Sequence, residues 1–176
     1  MALRPIVVYP HPVLTRPTAE IAEVDADLRR LAEDMVETMH AEPGVGLAAN
    51  QVADGRRLAV IDPSAGERPE DLLVLVNPRI VEAWGSQDGE EGCLSFPGIF
   101  ENIERPSHVR YTAHDLDMKP VEATVEGLVA RIICHELDHL DGVTFLQRMS
   151  PLKRRLTLRK IERLRRQGEW PESAAL

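Results

Sequence analysis

The segment His135-Glu136-Leu137-Asp138-His139 sets two imidazoles at positions i and i+4, with a carboxylic acid between them. On a helix such positions share one face about one turn apart, so both rings can aim a nitrogen at a single divalent cation. Glu136 lies one residue round from His135, near enough to reach a water on that cation without ligating it. The chemistry this set performs is hydrolysis: the cation acidifies the water and the carboxylate takes its proton. At ordinary His and Glu frequencies the pattern arises by chance in roughly one chain in 200 of this size. Here it falls within residues 125–140, which are apolar on nearly every side. A charged acid in such a helix is costly unless it is paired or beside a metal.

Two histidines do not hold a catalytic cation alone, so a third protein ligand is expected, with one position left open for water. A downstream Glu or His would serve, as would a cysteine. No histidine follows His139, and the only acids up to residue 167 are Asp141 and Glu162. Asp141 sits two residues beyond His139 and points away from the shared face. Cys134 is ~100° round the helix from His135 and fails for the same reason. Cys93 remains, inside Glu90-Glu91-Gly92-Cys93-Leu94-Ser95-Phe96-Pro97-Gly98. As a bland alternative it is a small core residue. The flanking glycines and proline favour an exposed turn instead, which makes Cys93 the preferred third ligand.

The elements that position these residues follow from periodicity. The chain has 176 residues, 43% hydrophobic and 28% charged, as a compact globular protein does. No apolar run approaches the ~20 residues that span a bilayer. The opening residues have too short an apolar core for a signal peptide and are unlike an organelle import leader, so a cytoplasmic protein is expected. Two cysteines, Cys93 and Cys134, are not expected to form a disulfide there. Residues 6–9 read as a brief strand or extended arm. Asp25 or Asp27 caps a helix with Leu28, Leu31, Met35 and Met39 on one face, ended by Pro43-Gly44. Gly44-Val45-Gly46-Leu47-Ala48-Ala49-Asn50-Gln51 suggests backbone packed closely on a strand or a ligand. Strands are predicted over 57–62, 72–76, 80–84 and 108–114, with loops at 62–70 and 85–92. A buried helix over 125–140 with Gly142 as C-cap, and a third helix over 151–167, complete an α+β fold: small antiparallel sheets around a central metal-binding helix, with a C-terminal helix.

Three segments together resemble a known family. Gly44-Val45-Gly46-Leu47-Ala48-Ala49-Asn50-Gln51, Glu91-Gly92-Cys93-Leu94-Ser95-Phe96-Pro97-Gly98 and His135-Glu136-Leu137-Asp138-His139-Leu140-Asp141-Gly142 are similar, in order and spacing, to the signature motifs of peptide deformylases. That family removes the formyl group from the N-terminal methionine of newly made proteins. The likeness spans nearly the whole chain and implies one catalytic domain over residues 1–176. It makes Cys93, His135 and His139 the metal ligands and Glu136 the general base and acid. It assigns the oxyanion to the Gln51 side-chain amide and the Leu94 N–H. The peptide is expected to lie extended beside Val45, Gly46 and Gly92, pairing like an added strand. Val45, Leu128 and Ile132 would line an apolar pocket for the methionine. Two residues depart from the pattern: Asn50 stands where proline is frequent, and Cys134 where glutamine commonly precedes the His-Glu pair.

The donor set suits zinc, while the resemblance implies ferrous iron as the physiological ion in many bacterial members, with nickel or cobalt as active substitutes. A thiolate beside Fe(II) predicts sensitivity to oxygen and peroxide. The net charge of −8 is uneven, since 151–167 carries eight basic side chains against Glu162 alone. One reading docks that helix on the body with its charges solvated. The other, following the resemblance, tethers the protein to the ribosome near the formyl-Met nascent chain. A zinc endopeptidase predicts a third ligand other than Cys93, and a non-catalytic metal-stabilised module predicts a fourth protein ligand closing the site. His40, His108 and His114 have no assigned role.

Overall fold

The computed structural model describes residues 2–172. Helix α1 (Ala26–Ala41) starts where the Asp25 carboxylate accepts from the Leu28 N–H at 2.7 Å, and its stripe Leu28, Leu31, Met35 and Met39 is fully buried. Seven strands follow: β1 (Gly46–Ala48), β2 (Leu58–Ile61), β3 (Leu73–Trp84), β4 (Gln87–Gly92), β5 (Phe100–Arg105), β6 (His108–His114) and β7 (Pro120–Glu126). Helices α2 (Gly127–Leu140) and α3 (Pro151–Gln167) complete the chain. An antiparallel sheet runs in the order β1-β2-β3-β6-β7, and β4 pairs with β5 as a separate two-stranded sheet.

The larger sheet lies between α1 and α2. Successive side chains of a strand point to opposite faces, so Leu58 and Val60 of β2 join the core beneath α1, while Ile61 meets Ile133 and Leu137 beneath α2. All four residues of β2 are buried, as the core strand of a layered fold must be. A third cluster, with Phe96, Ile103, Phe145, Ile161 and Trp170, seats α3 against the smaller sheet. Ile161 and Thr157 are the buried residues of α3, and Leu152 and Leu156 remain exposed. The α+β architecture is therefore as expected. Among the described residues, no helix is long and apolar enough to cross a membrane.

Of the two readings offered for residues 6–9, the arm holds: they form no strand, with the Val7 N–H donating to the Gln51 carbonyl and the Tyr9 N–H to that of Ser95. Three local expectations are corrected. The two strands predicted over 72–76 and 80–84 are one strand. Asn77-Pro78 reads as a break, but Asn77 takes φ 51° and absorbs a register shift, after which pairing resumes at Arg79. Residues 87–92, predicted as loop, form β4, because its inward side chain is an acid held by ion pairs and no apolar alternation marks it. The helix expected from 125 begins at Gly127, whose φ of 59° turns the chain out of β7, where Val125 pairs with Val109.

Candidate active site

Two elements, α2 and the turn after β4, converge at one end of a cavity. Helix α2 supplies His135 and His139 from one face, their rings 4.9 Å apart. The turn after β4 supplies Cys93, whose Sγ lies 3.2 Å from Nε2 of His139. The ligand atoms of Cys93, His135 and His139 all lie within 4.8 Å of one another, one sulfur and two nitrogens. Cys134 faces the core beneath α2 instead, and burial pushes its thiol up to about 11. The end of α2 is anchored: the Leu140 carbonyl accepts from the Thr18 N–H and hydroxyl, and Asn50 Nδ2 donates to the His139 carbonyl.

Glu136 follows His135 on α2 and is buried, with Oε2 lacking any protein partner. Burial raises its pKa to about 7, so the metal-free carboxyl is poised to exchange a proton near neutrality. Its Oε1 lies so close to Gly46 that a side chain there would collide with it. The Gly46 backbone thus packs on α2, and a side chain at Gly44 would press on Leu94 instead.

A buried ion network stands behind the histidines. Glu91, on β4, accepts from Nδ1 of His135 at 2.9 Å. Arg105 and Arg131 both donate to Glu91 at 2.8 Å, and Arg105 reaches Asp138 at 2.6 Å. Although burial opposes ionisation, His135 and Arg105 outweigh it and hold Glu91 down at about 2. Holding Nδ1–H fixes the tautomer, so Nε2 is the free ligand atom. Burial likewise opposes a proton on His135, but Cys93 and Glu91 beside it raise its pKa well above the usual imidazole value in the metal-free protein. Sequence reasoning missed Glu91, Arg105, Arg131 and Asp138 as parts of the site. Arg131 and Asp138 carried the signal used for Glu136, a charge on an apolar helix, and Glu91 stood inside the cysteine motif, whereas Arg105 resembles any surface charge until the fold buries it.

Gln51 is buried in the turn after β1. Its Oε1 accepts from the Ala48 N–H at 2.9 Å, which aims Nε2 at Ser95 Oγ (3.2 Å) and Cys93 Sγ (3.5 Å). Gln51, Leu94, Val45, Gly46, Gly92 and Ile132 all line a cavity of about 440 Å³ with Cys93, His135 and Glu136 at its floor. Leu128 lines it too, at an exposed rim it shares with Phe100. An edge strand (β1) on one side and Gly92 on the other leave a slot that an extended peptide fits. The donor set, the tautomer imposed on His135 and the orphaned Glu136 oxygen together fit an open three-ligand cation site with an acid beside it.

The sequence profile of the family described as polypeptide deformylase matches residues 3–155. The chain belongs to this family. A peptide deformylase of Acidobacterium capsulatum is 47% identical over 170 residues, covering 97% of this chain and 100% of the relative. One from Alkalilimnicola ehrlichii is 48% identical over 168 residues, 96% of this chain and 94% of the relative. The crystal structure of a peptide deformylase from Legionella pneumophila superposes with a TM-score of 0.87 at 39% identity, covering 97% of this chain and 100% of that one. Peptide deformylases remove the N-terminal formyl group from nascent polypeptides, and this is the activity of the chain. Of the three histidines without an assigned role, His40 pairs with Asp62 at 2.8 Å, His108 stacks on Trp84, and His114 Nδ1 is buried without a hydrogen-bond partner.

Proposed function

We propose that deformylation runs on one divalent cation held by Cys93, His135 and His139, with Glu136 as the proton carrier. The observation that carries this reading is the convergence of those three ligand atoms beside a buried carboxylate oxygen with no partner. When bound, the cation supplies the Lewis acidity that brings a coordinated water towards ionisation near neutral pH. Glu136 would take a proton from the attacking water as the water oxygen adds to the formyl carbon. Gln51 Nε2 and the Leu94 N–H donate to the oxygen that gains negative charge. Glu136 then returns the proton to the departing amine, releasing formate and a free amino terminus. The peptide lies extended against Val45, Gly46 and Gly92, with its methionine side chain among Val45, Leu128 and Ile132.

Ferrous iron is the proposed physiological ion, with zinc, nickel or cobalt as substitutes; mixed sulfur and nitrogen donors accept all four. Cytoplasmic action follows from a substrate that emerges during translation. The same substrate motivates contact between the basic face of α3 and ribosomal phosphate, since its Arg and Lys side chains are mostly exposed.

Two variants test the core reading. Glu136→Gln keeps stoichiometric metal by elemental analysis yet abolishes formate release from a formyl-Met dipeptide; near-normal turnover would end the proton-carrier assignment. Cys93→Ala lowers bound metal, and unchanged stoichiometry would exclude it as a ligand.

A further inference from the structure

The two ligand imidazoles are supported unequally. Nδ1 of His135 has Glu91 at 2.9 Å. Nδ1 of His139 is buried without any hydrogen-bond partner. An imidazole that offers Nε2 to a cation must carry its proton on Nδ1. Because Nε2 of His139 is the nitrogen that faces Cys93, its Nδ1–H needs an acceptor that the protein has not visibly supplied. A buried donor left unmatched costs about 1–3 kcal/mol.

Asn50 has the complementary deficit. Its side chain is 1% exposed, and Nδ2 donates to the main-chain carbonyl of His139 at 2.5 Å. A carbonyl only accepts, so the amino end of the carboxamide must face it and the amide cannot turn over. Oδ1 is thereby left buried with no partner. Among the described residues, the other buried atoms without a partner that can accept are Glu37 Oε2, Glu136 Oε2 and His114 Nδ1, the last on β6. Glu37 belongs to α1, across the sheet, and Glu136 lines the cavity against Gly46. Asn50 alone among these acceptors already touches His139.

We infer that Asn50 is the positioning residue for His139: its carboxamide grips that residue twice, through Nδ2 on the carbonyl and through Oδ1, across one bridging water, on Nδ1–H. This inference rests on His139 being a metal ligand through Nε2. It gives the second imidazole what Glu91 gives the first, with a neutral acceptor in place of a charged one. It also ties the turn that carries Gln51 to the ligand helix by adjacent residues, so the oxyanion donor and the cation keep their spacing.

The test uses zinc-loaded full-length protein with 15N-labelled histidine, zinc being diamagnetic. Proton–nitrogen spectra read the ring N–H of His135 and His139 separately, and elemental analysis reads zinc stoichiometry. Asn50→Ala is expected to shift the His139 ring N–H upfield and speed its exchange with solvent, leaving the His135 signal in place. Asn50→Asp loses the donor to the His139 carbonyl but keeps a stronger acceptor for the ring N–H, and is expected to move the His139 ring signal downfield. Glu91→Gln moves the His135 signal alone. Zinc loss to a chelator quickens about 10-fold or more in Asn50→Ala. A His139 signal unchanged in both Asn50 variants at full zinc occupancy overturns the role given to Asn50 and leaves the ligand set standing. Absence of a zinc-induced shift at His139 Nε2 in the unaltered protein overturns the ligand assignment, and this inference with it.

Discussion

Glu91 and His135, 44 positions apart in the chain, meet at 2.9 Å through Oε2 and Nδ1, and the acid is shared with two arginines. The pairing makes His135 part of an ion network that crosses from β4 to α2. Two consequences of such a site, one of the buried Asp62 and one of the C-terminal helix are open to measurement.

Glu91→Gln keeps the shape of the acid but removes its charge, leaving Arg105 and Arg131 without their shared counter-ion. Metal affinity, measured by competition with a chelator, should fall about 10- to 100-fold. The melting temperature should drop as well, because buried guanidinium groups lose their partner. Affinity equal to that of the unaltered protein would show that Glu91 does not orient His135.

Gly46→Ala puts a methyl group onto Glu136 Oε1 and 2.9 Å from Ile132 Cγ2. Because Glu136 must keep its place to carry a proton, turnover of a formyl-Met dipeptide should fall by about 10²-fold. Metal content should stay unchanged, since no ligand touches Gly46. A variant of normal kcat would mean that Glu136 can shift without cost.

Asp62 is buried, and burial favours its neutral form. The hydroxyl of Ser64, His40 and the N–H groups of Ser64 and Gly66 overcome that and lower its pKa below 3.8. A folded pKa below the unfolded one stabilises the fold fully at neutral pH, and the contribution disappears as pH falls through the folded value. Asp62→Asn should therefore cost about 2 kcal/mol at pH 7, and the gap in melting temperature should narrow towards pH 3. A gap independent of pH would assign the loss to packing.

The reversal Arg155→Glu, Arg159→Glu and Arg163→Glu on α3 leaves the buried Ile161 and Thr157 intact. Sedimentation with ribosomes should weaken, and its dependence on salt should become shallower, as fewer phosphates are neutralised. Activity on a free formyl-Met dipeptide should hold. Unaltered sedimentation across 50 to 200 mM salt, a range over which phosphate contacts lose most of their strength, rules out the tether.

What the sequence by itself determined is local. A carboxylate between two histidines at helical spacing names a hydrolytic cation site, and the stripes of α1 and α2 announce their buried faces, because side chains four apart share a face whatever the fold does later. The three motifs announce the family. The sequence did not disclose β4, since Glu91 is an acid where an inward apolar residue would have marked a strand. Nor did it disclose that Asn77 joins two apparent strands into one. Only the tertiary structure brought Cys93 to 3.2 Å from His139, Glu91 to His135 and Asn50 to the end of α2. Periodicity reports how one element faces its neighbours; which acid or amide from a distant element completes a buried ring depends on the register and crossing of strands, and no spacing along the chain encodes that.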